Sequence, residues 1–348
     1  MRTIFCLLAA AVASFAANYS AQQSSEKGLA VVHLADAAQG MEVSVLPSFG
    51  NRAVEFKAHG HNILYIPSSD LPNVAAHPAL NGVPFLAPWA NRLSEPAFWA
   101  DGQKYDLNPD LGNFQKDNHG LPIHGLLSAS NLWRVVDVGA DAESAHVTSR
   151  LEFWKYPELM AQWPFAHEYD MTYRLAGGTL QVEITVKNLG AKAMPLSLGF
   201  HPYYRIPGVH RDEWIAHLAV RKAIVADSRL IPTGELKPVD LPNPVPLKGR
   251  TLDNGYTDLE RDSDGRAHFS IEAQGKKVEV LFGPKYPVAV VWEPPAPPDG
   301  TRDFICFEPM AAMTDGINLH HEGKYPELQM IAPGASWTES FWIHPSGF

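Results

Sequence analysis

The chain has 348 residues, of which 45% are hydrophobic and 19% charged, and a formal net charge of −10. This balance suits a globular chain with a sizeable core, and with no Lys/Arg run it argues against a nucleic-acid partner. The two cysteines, Cys6 and Cys306, leave a single thiol once a leader containing Cys6 is removed, so no internal disulfide is expected and the core must supply the stability.

Arg2 is followed by an apolar run from Ile4 to Val12 and then by small residues through Ala17. This reads as a signal peptide over residues 1–21, too short to remain as a membrane span. The expected location is periplasmic or secreted, with no membrane attachment after signal removal. Residues 22–27 read as a polar spacer, and one domain is expected over residues 28–348.

From there the chain is a succession of short strand signals. Met41 to Leu46 alternates with period two, and shorter runs follow at Ala53 to Phe56 and Ile63 to Ile66. Two hairpins stand out. One runs from Glu168 to Val186 and turns at Gly177-Gly178; the other runs from His268 to Leu281 and turns at Gln274-Gly275. A closing pair is read from Leu328–Ile331 and Trp337–Ile343. Helical periodicity is nearly absent, apart from a turn or two over Asp212 to Val220. Twenty-nine prolines and 26 glycines fit a chain whose many strands need many turns. The expected class is an all-β sandwich with long loops and few helices.

Five stretches could carry chemistry. In Phe304-Ile-Cys-Phe-Glu308-Pro, four β-formers run into one carboxylate, and Pro309 is expected to end the strand. A strand terminus holds an acid rigidly, as a general base requires. Pro195-Leu-Ser-Leu-Gly-Phe-His201-Pro delivers an imidazole in the same way. Alternation puts Leu196, Leu198 and Phe200 on a core face and Ser197, Gly199 and His201 on the other, with room above them. Two strands each presenting one proton-transfer group suggest an acid/base pair. The stiff loop from Asn81 to Arg92 ends in Asn91 and Arg92 beside Trp89, donors and an aromatic face of the kind that hold sugars; a surface salt bridge explains Arg92 equally well. His124, after Pro122, and His119 compete for one role. Asp253 and Asp258 flank a run whose Asp-Asn-Gly an Asx-turn would explain without function. His59/His61 and His320/His321 lack a matching ligand set, so no metal is expected, and there is no phosphate loop or dinucleotide fingerprint.

Five of these stretches, in this order, resemble the aldose 1-epimerase (galactose mutarotase) family: Pro88-Trp-Ala-Asn91-Arg92-Leu, Pro122-Ile-His124-Gly-Leu-Leu, Gly199-Phe-His201-Pro-Tyr-Tyr, Asp253 before Tyr256, and Phe307-Glu308-Pro with Asp315 to Asn318 after it. The resemblance implies a β-supersandwich, no cofactor, and a small-molecule sugar substrate bound by a monomer or homodimer. It implies Glu308 as the base that takes the anomeric O1 proton and His201 as the acid that protonates the ring oxygen. Arg92, His124, Asp253 and, less directly, Asn91 would hold sugar oxygens. The Gly-Phe-His-Pro-Tyr run is closer to the branch that includes hexose-6-phosphate 1-epimerases, which makes a phosphosugar the alternative substrate. A non-catalytic carbohydrate-binding protein on the same fold is a further reading. A glycosidase using Glu308 and Asp253 is disfavoured, because a histidine acid paired with one glutamate is not a carboxylate pair.

Overall fold

A computed structural model of the chain describes residues 18–294 and 302–348. The leader expected over residues 1–21 lies outside the described residues up to position 17. The stretch read as a spacer is instead an edge strand, Tyr19–Glu26, paired along its length with Leu29–Asp36. Lys27 and Gly28 both take positive φ, 48° and 89°, the geometry of a two-residue hairpin turn. The backbone ladder and the packing of Tyr19 and Ala21 on the core order this polar segment, so the folded unit starts before residue 28.

Strands dominate, as the alternation predicts, and antiparallel pairing joins them. A five-stranded sheet takes in the chain from Tyr19 to Asn62. A nine-stranded sheet contains both predicted hairpins, His167–Ala176 with Thr179–Asn188 and Ala267–Ala273 with Lys276–Phe282. An eight-stranded sheet runs through Val220–Ala226, Leu252–Leu259, Val288–Glu293 and Ile305–Met310 to the short strands at Gly199–Phe200 and Phe85–Leu86. The eight- and nine-stranded sheets pack through aromatic contacts: Phe200 lies 5.0 Å from Phe341 and Phe307 5.6 Å from Phe269, ring centre to ring centre. Side chains alternate across a strand, so with Phe200 and Phe307 in this core, His201 and Glu308 face the other side.

Several local expectations fail where tertiary pairing outweighs local chemistry. Ser336–Ser346 does not close a hairpin with its predecessor; it lies between Thr179–Asn188 and Lys276–Phe282, while Met330–Ile331 pairs with Met194–Pro195. The Asp212–Val220 region gives a single 3-10 turn at Arg211–Glu213 and then a strand, Ile215–His217. Asp-Asn-Gly at 253–255 makes no turn, because these residues pair one for one with Val290–Trp292 within the strand Leu252–Leu259. Pro309 does not end its strand. Ile305–Met310 runs through it, with Ala289 opposite Pro309, so Glu308 stands inside the sheet rather than at its rim.

Candidate active site

Glu308 and His201 are cross-strand neighbours. Gly199 pairs with Met310 and Tyr203 with Cys306, and carrying that register inward sets His201 opposite Glu308. The ladder lapses between these pairs because Pro202 and Pro309 have no N–H to give. His201 turns its own N–H to the Pro84 carbonyl, 3.0 Å away. Directly opposed side chains on one face of an antiparallel pair meet, and His201 Nε2 lies 3.3 Å from Glu308 Oε1. The room expected above Gly199 is not there: a side chain at that position would collide with Met310 and approach the Pro309 carbonyl. The open space begins at His201.

Both groups are nearly enclosed, Glu308 with 1% and His201 with 6% of its surface exposed. Burial pushes the Glu308 carboxyl well above the usual carboxylate range. The Asp253 carboxylate adds to this and Arg92 opposes it. Burial pushes His201 down, to about 3, and holds His124 well below its ordinary value, helped by its neighbours His201 and Arg92. A neutral carboxyl and two neutral imidazoles are thus the favoured resting state at neutral pH. Glu308 Oε2, His201 Nδ1 and His124 Nδ1 have no hydrogen-bond partner among the described residues.

A cavity of about 260 Å³ opens over this pair. The structure brings Glu308, His201, His124, Arg92, Asn91 and Asp253 into its wall. His124, at φ 63°, sets its ring edge-on to His201 at 5.4 Å, whereas His119 is exposed and outside that wall. Asp258 is likewise at the surface, within 4 Å of Arg221 and Lys222. The loop carrying His124 is pinned to the Arg92 loop by His124 N–H to Asn91 O at 2.9 Å and Leu126 N–H to Ala87 O at 2.7 Å. Gly125 lies so close to the Ala87 carbonyl, at φ 66°, that no side chain fits there.

Arg92 is aimed by partners that its own stretch of sequence does not reveal. Its Nε donates to Asp117 Oδ2 at 2.6 Å and its Nη1 to Asn91 Oδ1 at 3.0 Å. Burial alone would raise the Asp117 carboxyl, but Arg92 and the N–H groups of Leu121 and His119 outweigh it and hold Asp117 below its ordinary value. Asp315 and Asn318 stay out of the wall and brace it from behind. The Asp315 N–H donates to Arg92 O at 3.0 Å, and Asp315 Oδ1 accepts from Ser94 N at 3.0 Å and Asn318 Nδ2 at 2.7 Å. Trp292 and Tyr203 complete the cavity. Tyr203 stacks on the His201 ring at 4.9 Å, and Trp292 meets it edge-on at 5.6 Å. The Val288-Ala-Val-Val-Trp292 run carries a legible strand signal, and its alternation puts Trp292 on the face of Val290; Asp117 carries no comparable signal.

A cavity holding a closely apposed carboxyl and imidazole, an anchored guanidinium, an amide and aromatic walls has the groups needed to hold a polyhydroxylated ring and move protons at its oxygens. Three comparisons bear on which family builds such a site. A galactose mutarotase-like protein of known structure from Clostridium acetobutylicum superposes with a TM-score of 0.83 at 22% identity, covering 95% of this chain and 99% of that one. The Slr1438 protein of Synechocystis superposes with a TM-score of 0.71 at 25% identity, covering 91% and 95%. The uncharacterised Escherichia coli protein YphB is 26% identical over 267 residues, 73% of this chain and 80% of its own. Residues 31–344 match the family model for aldose 1-epimerase, and the chain therefore belongs to the aldose 1-epimerase family.

Proposed function

We propose that this protein is an aldose 1-epimerase that interconverts the α and β anomers of a free aldose such as glucose or galactose, in the periplasm or outside the cell. The observation that carries this reading is the buried, cross-strand His201–Glu308 pair with 3.3 Å between Nε2 and Oε1. Ring opening removes a proton from O1, breaks C1–O5 and adds a proton at O5, leaving an open aldehyde. A pair that holds one proton in total meets both needs without exchange with water.

Glu308, as carboxylate, takes the O1 proton while His201, holding the shared proton, gives it to O5. The aldehyde turns about C1–C2, and the same transfers run backwards on its other face. Arg92 favours the carboxylate form of Glu308, so the ionised arrangement of the pair is reached by moving one proton across a contact already made. His124, kept neutral by burial, can hydrogen-bond a sugar oxygen without repelling the imidazolium. Arg92, Asn91 and Asp253 hold the ring hydroxyls, and Trp292 and Tyr203 supply the apolar walls.

Polarimetry on freshly dissolved α-D-glucose and α-D-galactose tests the proposal. Both relax spontaneously, so the readout is the rate of approach to an unchanged final rotation. Acceleration that disappears in Glu308→Gln is expected. Acceleration of a hexose 6-phosphate alone would move the substrate to the phosphosugar, and sugar affinity without any rate effect would make the protein a binding module.

A further inference from the structure

Arg52 is a buried cation that meets no anion. It is 1% exposed, and among the described residues no carboxylate is within ion-pair reach of it. Its Nη1 donates to Ala79 O at 2.7 Å and its Nη2 to Ser128 O at 2.6 Å. The guanidinium carbon lies 4.2 Å above the Phe49 ring, and Nε has no hydrogen-bond partner among the described residues. Burying an unpaired charge is costly, so its presence here calls for a use. Resting on the epimerase reading above, we infer that Arg52 is a positioning residue for the His201–Glu308 pair: it clamps two loops that wall the cavity, and its unmatched charge bars the pair from taking a second proton.

The clamp joins loops that are distant in the chain. Ala79 precedes Leu80, and Ser128 lies just beyond His124; Leu80 and His124 both line the cavity. The turn before Arg52 rests on the second of these loops. Gly50 N–H donates to Ser130 O at 2.8 Å, and Gly50, at φ 68°, lies so close to the Ser128 carbonyl that no side chain fits. Tyr173 fixes the backbone on both sides of Arg52, its hydroxyl donating to Asn51 O at 2.8 Å and accepting from Ala53 N–H at 3.3 Å.

One segment separates Arg52 from the pair. Val83 N–H donates to Ala53 O at 2.9 Å, and on the far side of that segment Pro84 O accepts from His201 N–H and Gly82 O from Tyr203 N–H. Glu308, His124 and Tyr203 face His201 from the other elements, with Arg92 and Asp253 across the cavity. The hydroxyls of Tyr173 and Tyr203 face Arg52, and burial keeps the Cys306 thiol opposite Tyr203 protonated. Arg92 is matched by Asp117; Arg52 has no such match. A nearby cation disfavours an imidazolium, and Arg52 adds to burial in opposing the one on His201. In the working form the imidazolium is offset by the Glu308 carboxylate. When both groups are protonated nothing offsets it, so Arg52 weighs most against the form that has no base. An enzyme outside the cytoplasm meets the pH of its surroundings, and this charge extends the one-proton range into acid.

Polarimetry of kcat/KM against pH in wild type, Arg52→Gln, Arg52→Lys and Asn81→Asp tests the inference. Asn81 is buried, and its Nδ2 donates to the same Ala79 carbonyl as Arg52, so Asn81→Asp sets a carboxylate beside the guanidinium and cancels its charge with the arginine still in place. The acid limb should move up by at least about half a pH unit in Arg52→Gln and in Asn81→Asp. Arg52→Lys keeps the charge but lacks the fork that spans both carbonyls, so KM should rise about threefold or more while the limb stays where it is. An unmoved limb in Asn81→Asp, or equal shifts in Arg52→Lys and Arg52→Gln, would overturn the role of the charge and leave the epimerase reading standing. An unchanged KM in Arg52→Lys would overturn the clamp. If Arg52→Gln fails to fold, Asn81→Asp and Arg52→Lys decide the matter between them. If wild type accelerates no sugar, the epimerase reading falls by itself. NMR titration of the labelled His201 imidazole in wild type and Asn81→Asp needs no substrate; protonation at higher pH in the variant is expected, and coincident titrations would overturn the inference.

Discussion

His201 and Glu308 occupy opposite positions in one antiparallel register, and the two prolines beside them, Pro202 and Pro309, interrupt the ladder where the pair stands. Each side chain is thus set by sheet geometry, and the backbone is held from its other edges, His201 by its N–H on the Pro84 carbonyl and Glu308 by its place opposite Val290. The contact between Nε2 and Oε1 follows from this arrangement and needs no flexible loop to form it.

Glu308→Gln keeps the shape and removes the base. Turnover should fall by at least about a hundredfold, while sugar affinity measured by calorimetry changes little. Stability gives an independent check with a definite sign. The folded state holds the Glu308 proton above the pH at which the unfolded chain releases it, so the stabilising contribution is present below the ordinary carboxylate pKa of about 4.5 and is lost as pH rises toward the raised folded value. The variant should therefore melt higher than wild type at neutral and alkaline pH, with the gain vanishing in acid. An unchanged difference across that range would mean that Glu308 is not held protonated.

The pH–rate profile should show a broad plateau. Burial pushes His201 toward about 3 and Glu308 well upward, so the pair keeps one proton over a wide interval. kcat/KM should hold well below pH 6.5, where an exposed imidazole titrates, and fall on the basic side as the pair loses its last proton. An acid limb centred near 6.5 would assign the titration to a solvated histidine instead.

Arg92 depends on Asp117 for its aim, through a 2.6 Å bond to Nε. In Asp117→Asn the guanidinium loses its charged partner, and a charge-assisted hydrogen bond contributes about 1.5–3 kcal/mol. KM for the sugar should rise on the order of tenfold with a smaller change in kcat. Arg92→Lys should do at least as much harm, because an ammonium cannot hold Asp117 and Asn91 together. A kcat effect larger than the KM effect in Asp117→Asn would indicate that Arg92 acts on the reacting pair rather than on binding.

The strands were legible because alternation and turn chemistry are local. Gly177-Gly178 and Gln274-Gly275 marked both hairpins, and the Phe200/His201 and Phe307/Glu308 alternation assigned the core and site faces. Partners made by the fold were not legible. Asp117 meets Arg92 across 25 residues, and Asp315 braces the same loop from a distant part of the chain. Locally persuasive signals also misled where neighbours overruled them. Asp-Asn-Gly became a strand because it pairs residue for residue with Val290–Trp292, and Pro309 sat within a strand because Ile305–Met310 is held by Val288–Glu293 regardless of one missing N–H. The polar Tyr19–Glu26 segment was ordered by its hairpin turn and by the ladder beyond it.

Gly125→Ala tests whether the His124 loop is set by backbone contact. Gly125 has φ 66° and its missing side chain would collide with the Ala87 carbonyl oxygen, so the change adds both left-handed strain and a clash with backbone that cannot swing away. Strain of this kind costs on the order of 1–3 kcal/mol, and the loop can relieve it only by moving off the Ala87 strand. That shift would break the Leu126–Ala87 hydrogen bond and displace the ring of His124 from its place 5.4 Å from His201. The variant should melt several degrees lower and lose turnover while Glu308, His201 and their mutual contact remain. His124→Asn removes the ring without moving the loop, and should reproduce the loss of turnover with little change in melting temperature. If Gly125→Ala lost stability but kept full turnover, His124 would not be required at the reacting end of the sugar.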